Sequence, residues 1–272
     1  MSEYLKRIDR NLGVISPKEQ EILHNSCVAI AGCGGMGGLV AIQLSRIGVG
    51  RIKIADGDIF EASNLNRQYA AKQSTLGVNK AEATFAEIIS IAPDTKVDVF
   101  SQGVNSTNVK EFISGADVIC DEIEFFQIAP RIQLHREARI QKVNVLNCNV
   151  VGFGTRIFLF SPDSMTMEDF LEADENTELT ENVIIRLIQR LAPQLPLDIS
   201  EAILKDWVLK QNKAPIFGGT PPISSGILVV RICLEILGVT SRPWIANIPK
   251  MPGYAYFDAG TFESGIKVGK WW

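Results

Sequence analysis

Two hydrophobic periods alternate along this chain. Val28-Ala29-Ile30-Ala31 is an unbroken apolar run of strand length, and beyond a glycine-rich turn Val40, Leu44 and Ile47 fall at helical spacing, predicting a buried strand and a helix from Leu39 to Ile47. The pattern repeats. Strands are expected at Arg51–Ala55, Asp94–Phe100, Ala116–Asp121 and Val143–Asn147, with helices from Lys80 to about Ile91 and from Gln127 to Gln141 between them. Such β-α-β-α-β alternation with right-handed crossovers predicts an α/β fold, a Rossmann-like, doubly wound and mainly parallel sheet. Ahead of it, Ser16-Pro17-Lys18-Glu19 reads as a cap and first turn, starting a helix from Pro17 to His24. Arg7 to Asn11 reads as a charged, solvated arm.

The second half changes character. Ile157 to Ile185 holds eight acids and no Lys or Arg, the pattern of a solvated face or mobile loop, with a lid over the site as the lesser reading. Helices are expected at Glu181–Leu191 and Ser200–Gln211, the second with Asp198 and Glu201 spaced as a capping box. Gly218-Gly219-Thr220-Pro221-Pro222 breaks the chain before an apolar run, Ile223 to Val239. That run is short for a membrane span and carries Arg231 and Glu235, placed to pair four apart, so a buried helix is expected. Tyr254–Asp258 and Ser264–Val268 read as an antiparallel hairpin closing the domain.

Composition narrows the functional classes. A net charge of −4 lacks the basic footprint of a nonspecific nucleic-acid binder. The first residues lack the apolar core of a signal peptide, so a cytoplasmic location is expected. Five scattered cysteines form no Cys-x-x-Cys pair, and with two histidines they leave no zinc site or Ser-His-Asp arrangement in prospect. Chemistry falls to Arg, Lys, Asp and Glu.

Those residues collect around the glycine turn. Gly32, Gly34 and Gly37 form Gly-x-Gly-x-x-Gly between strand and helix, where a polyphosphate can approach backbone amides unobstructed. Asp56, followed by Asp58, lies 24 positions after Gly32 at the end of the second strand, the place of a ribose-binding acid. Arg67 and Lys80 offer a planar two-pronged donor and a mobile point charge for the phosphates of a triphosphate. Asp121, Glu122 and Glu124 cluster at the carboxyl end of a central strand, where a carboxylate can hold Mg²⁺ against phosphate oxygens.

Taken in order and spacing, Gly32-x-Gly-Gly-x-Gly-Gly, Asp56-Gly-Asp58, Ser63-Asn64-Leu65-Asn66-Arg67-Gln68 and Gly77-x-x-Lys80 resemble the ThiF/MoeB/HesA superfamily of ubiquitin-activating-enzyme-like adenylyltransferases. The likeness extends through Arg7-x-x-Arg10, the apolar helix after Gly226 and the Phe257-Asp258 hairpin, sparing the acidic middle. It implies one adenylation domain over 1–272, with a nucleotide-binding half at 1–150 and a crossover, substrate and dimerisation half at 151–272. It further implies Asp56 on the ribose, Gly34 and Gly35 beneath the phosphates, and Asn64, Arg67 and Lys80 on the triphosphate, with Arg10 lent across a homodimer interface to the other protomer's ATP. The implied reaction transfers AMP from Mg-ATP to a C-terminal glycine carboxylate of a ubiquitin-like or sulfur-carrier protein, or to a peptide or small-molecule carboxylate.

Three departures stand out. Ile123-Glu124-Phe125 replaces the family's Thr-Asp-Asn run, leaving Glu124, with Asp121 contributing, as the expected metal ligands. Paired-cysteine zinc sites are absent, so no zinc is expected. The crossover region after Phe160 lacks a nucleophilic cysteine, and Cys148 reads as a packed thiol. The sequence thus points to an adenylyltransferase that stops at the acyl-adenylate. A catalytically weak nucleotide-binding dimer partner and an NAD-dependent oxidoreductase stand as alternatives.

Overall fold

One sheet runs through both halves of the chain. In the computed structural model, which describes residues 2–192, 200–211, 213–238 and 242–272, eight strands are ordered β3-β2-β1-β4-β5-β6-β7-β8. The elements in chain order are α1 (Glu3–Ile8), α2 (Pro17–Asn25), β1 (Cys27–Ala31), α3 (Gly37–Arg46), β2 (Arg51–Ala55), α4 (Lys80–Ile91), β3 (Lys96–Phe100), α5 (Val109–Ile113), β4 (Val118–Asp121) and α6 (Ile128–Ile140). There follow β5 (Asn144–Val151), β6 (Gly154–Phe160), α7 (Met167–Leu171), α8 (Glu181–Leu191), α9 (Glu201–Ile203), a π-helical turn (Leu204–Leu209), α10 (Thr220–Leu237), β7 (Gly253–Asp258) and β8 (Ser264–Val268). β1 to β5 pair in parallel, and β5 to β8 are antiparallel. The α/β, mainly parallel Rossmann-type fold with an antiparallel C-terminal extension is therefore as expected.

Strand periodicity explains the two cores. Val28 and Ile30 face α3, α4 and α10, while Ala29 and Ala31 face the layer that holds Phe112, Ile132 and Phe170. With both faces covered, the parallel strands read as continuous apolar runs, which is why they are visible in sequence. The Ser16 cap forms in full: its hydroxyl accepts from Glu19 N–H at 3.2 Å, and the Glu19 carboxylate accepts from Ser16 N–H at 2.7 Å.

Several expectations change. β6 begins beside the acidic stretch and was hidden by it, although all seven of its residues are buried. The stretch itself is neither a free loop nor a purely solvated face: Met167, Phe170 and Leu171 of α7 are buried, and Arg136 bonds Glu168 at 3.1 Å and Glu175 at 3.0 Å. α10 is apolar enough by length and composition to cross a membrane, yet it packs one face on α3 and the sheet and leaves Ile223 and Val230 exposed, so it is half-buried rather than buried. Arg231 and Glu235 do not pair. Arg231 donates to Ala246 O at 2.8 Å, and Glu235 accepts from Asn144 at 2.6 Å. Where one helix was expected over Ser200–Gln211, α9 gives way to the π-helical turn, and the Asp198 cap lies outside the described residues.

Candidate nucleotide-binding site

Strand order reverses between β1 and β4, so their carboxyl ends diverge around a crevice at the switch point, where open α/β sheets bind ligands. A cleft of about 1170 Å³ opens there, bringing together Gly32, Gly34, Gly35, Asp56, Asp58, Asn64, Arg67, Lys80 and Glu124. Residues spread over 92 sequence positions thus share one wall set because β1, β2 and β4 end at the same sheet edge.

The glycines divide by cause. A Cβ on Gly32, whose φ is +99°, would stand 2.1 Å from Glu122 O, and one on Gly37 would stand 1.9 Å from Gly32 O, so these two let the turn close. Gly34 and Gly35 meet no such wall. A Cβ on either would find nothing nearer than 3.8 and 3.5 Å respectively, and both face the cleft. Fold closure does not demand them, whereas backbone approach by a phosphate does. The neighbouring Gln68, buried beside Gly34, has a side-chain oxygen without a hydrogen-bond partner among the described residues.

Asp56 is anchored where β2 ends. Cys33 N–H donates to Oδ2 at 2.7 Å and Asp58 N–H to Oδ1 at 2.9 Å, while burial pushes its carboxyl above the ordinary range against those hydrogen bonds. Lys80 starts α4 and reaches Asp58 Oδ2 at 3.0 Å, its stem buried. Arg67 is held by Ser63 O at 3.0 Å and Asn66 Oδ1 at 2.9 Å. Burial lowers the Arg67 pKa, with Glu124 pulling it back. Asn64 is buried and accepts from Glu61 N–H at 3.0 Å, shaping the turn that presents Arg67.

Two expected site residues lie elsewhere. Asp121 is not a cleft residue: it is 0% exposed and its carboxylate accepts from Arg131 Nε at 3.0 Å and Ile123 N–H at 3.1 Å and contacts His135 Nε2 at 2.9 Å. Burial alone would raise its pKa, yet Arg131 and His135 hold it below the usual carboxylate range. Its carboxylate is taken up by groups of its own chain, and Asp121 is not among the residues that line the cleft, where Glu124 stands instead. Arg10, in a 3₁₀ turn over Asp9–Asn11, is exposed and is not among the residues lining its own chain's cleft. Glu124 does line it, and desolvation raises its pKa against Arg131, Lys80 and Arg67. No cluster of three or more His, Cys, Asp or Glu suited to a metal occurs among the described residues.

Sequence reading missed Arg131 and His135. Their signal was two basic residues at i and i+4 on α6, downstream of a strand ending in an acid. Cys148 is 3% exposed, its Sγ lies 2.9 Å from Thr155 Oγ1, and burial pushes its thiol well up, as expected of a packed cysteine.

A glycine turn at the switch point, an acid on the second strand and two cations over one cleft define a nucleotide-binding Rossmann-type protein. The ThiF family model matches residues 8–261, and the chain belongs to the ThiF family. It is 30% identical over 149 residues to the SAMP-activating enzyme E1 of Haloferax volcanii, covering 55% of this chain and 54% of that protein, so the match spans about half the length of that relative. It is 28% identical over 240 residues to the tRNA threonylcarbamoyladenosine dehydratase of Bacillus subtilis, covering 86% and 92%. Further relatives are named adenylyltransferases for molybdopterin synthase and the sulfur carrier protein ThiS. Among solved structures, the Escherichia coli tRNA N6-threonylcarbamoyladenosine dehydratase, in complex with AMP, is similar with a TM-score of 0.53 at 26% identity over 56% of this chain and 63% of that one.

Proposed function

We propose that this protein is an ATP-dependent adenylyltransferase that activates a carboxylate as its acyl-adenylate. One observation carries the reading: Arg67 and Lys80 stand over the open glycines Gly34 and Gly35, beside Asp56, in a cleft larger than the ~300–1,000 Å³ typical of a single small ligand. Family membership and the AMP complex of the E. coli relative support it.

The chemistry suits these groups. A carboxylate oxygen attacks the α-phosphorus of ATP, the bond from that phosphorus to the α,β-bridging oxygen breaks, and pyrophosphate leaves with the electron pair. An ionised carboxylate is its own nucleophile at neutral pH, so the cleft needs no general base. Its tasks are alignment and neutralisation of charge on the departing phosphates, for which Arg67 and Lys80 are suited. Asp56 would take the ribose hydroxyls and Asn64 would hold the Arg67 turn in place. Glu124 is the cleft carboxylate suited to Mg²⁺, an ion bound by one or two carboxylates together with substrate phosphates, which would supply further charge neutralisation.

Charge balance supports a homodimer. In this half of the cleft Arg67 and Lys80 face Asp56, Asp58, Glu61, Glu122 and Glu124, too few cations for a triphosphate. Arg10 of a second copy would supply one, and the exposed Ile223 and Val230, seven apart on one face of α10, offer an apolar contact. The names of relatives point to sulfur-carrier or SAMP-type proteins as activated partners, alongside peptides and small acids.

Titration calorimetry tests the reading: Mg-ATP binds and NAD does not, and light scattering of the same sample gives twice the chain mass. A preference for NAD overturns it. Gly34→Ala is expected to leave the melting temperature nearly unchanged, since its Cβ meets nothing closer than 3.8 Å, yet to weaken ATP at least tenfold. An equal loss of stability in Gly34→Ala would assign that glycine to the fold instead.

A further inference from the structure

The cleft continues past Glu124 into a half for which the nucleotide has no use. Its apolar walls there are Phe125 and Phe126 from the loop after β4, Ile188 and Leu191 of α8, and Trp207 and Val208 of the π-helical turn, with the amides of Gln127 and Gln211 at their margin. Among the described lining residues of this half there is no Asp or Glu, and Lys213 is the one cation. The nucleotide half, by contrast, carries five carboxylates.

Local structure makes this wall firm and aims one ring into it. Phe126, Ile184, Ile188 and Val208 form a buried cluster with Phe125 and Leu209 packed against it. Phe125 takes part where the family pattern has a polar Asn, so the loop that bears Glu124 is tied to α8 and the π-helical turn by apolar contact. Val208 is 5% exposed while its neighbour Trp207 is 48% exposed, so the indole projects from a fixed base. π-helical turns recur at functional sites because the extra residue re-aims side chains out of helical register. Lys213 N–H donates to Trp207 O at 2.9 Å, fastening the next segment of the wall to the same turn.

We propose that this half is an acyl pocket, and that the carboxylate activated here carries an aromatic or branched aliphatic group near its carboxyl carbon, seated against the Trp207 indole. The inference rests on the adenylyltransferase reading above and names the substrate class of the same site. The physical reason is desolvation. An apolar group displaces water from these walls at a gain, whereas the amides of a glycine-rich tail would be buried against rings that offer few hydrogen-bond partners.

Acyl-sulfamoyladenosines, inert stand-ins for the acyl-adenylate, test it directly on the full chain. The 3-phenylpropanoyl probe is expected to bind at least tenfold tighter than the acetyl probe. Trp207→Ala brings that ratio close to one, and Trp207→Phe keeps most of it. Because Trp207 is half exposed, its truncation leaves the buried cluster in place. Equal affinities for two tightly bound probes, or an unchanged ratio in Trp207→Ala, overturn the acyl pocket and leave the nucleotide reading standing. Failure of both probes to bind overturns the reading on which it rests, and the proposal with it.

Discussion

Arg67→Ala lowers carboxylate-dependent pyrophosphate exchange by about 100- to 1,000-fold while the melting temperature stays within a few degrees of the parent protein. The size follows from what the residue is asked to do. Removing one donor aimed at charge that develops in the transition state costs a rate factor of this order in other acyl-transfer sites. The small effect on stability follows from its contacts: Arg67 bonds Ser63 O and Asn66 Oδ1 within its own turn and, among the described residues, has no buried ion-pair partner. Burial lowers its pKa, a desolvation cost of the folded state that Ala does not carry. Arg67→Lys recovers part of the rate, since a point charge remains but the two-pronged fork is gone. Exchange in Arg67→Ala at the parental rate would remove Arg67 from the mechanism.

Arg131→Met destabilises the protein by about 3–5 kcal/mol, read from the urea midpoint, because it strands a buried carboxylate. Asp121 is 0% exposed and Arg131 2%, so neither solvent nor rearrangement can replace the lost partner. Arg131 also donates to the Ile123 carbonyl, and Ile123 N–H donates to Asp121, so the pair clamps the loop that carries Glu124. The double variant Asp121→Asn with Arg131→Met is expected to regain part of the loss, because no charge is left unpaired. The acid side of the stability profile follows the same pair. Asp121 is held below its ordinary range, so its contribution is fully present above the unfolded value of about 3.9 and fades as pH falls through the lower folded value. An Arg131→Met protein as stable as the parent would mean that the ion pair does not hold this loop.

What the sequence determined by itself was whatever depends on neighbours in the chain. The apolar runs of β1 and β2, the Ser16 capping box, the glycine turn and the helix at Glu181–Leu191 are local, set by side-chain period, cap chemistry and backbone freedom, and they stand where they were expected. Gly34, Asp56, Arg67 and Lys80 were legible because their spacing follows the strand-turn-helix repeat that delivers them to one edge.

Tertiary structure decided what depends on the company a residue keeps. Asp121 and Glu124, three positions apart, read alike as carboxylates after a strand. The sheet sends Asp121 inward to Arg131 and His135 and leaves Glu124 on the cleft. The acidic stretch looked solvated because it holds eight acids and no Lys or Arg, yet Phe170 is fully buried in an aromatic group with Phe158 and Phe160 of β6 and Trp271 from near the end of the chain. Trp207 carried no signal at all. Its place on the cleft comes from a π-helical turn docked through Val208 on the Phe126 loop, a contact between parts of the chain some 80 residues apart that no local pattern encodes.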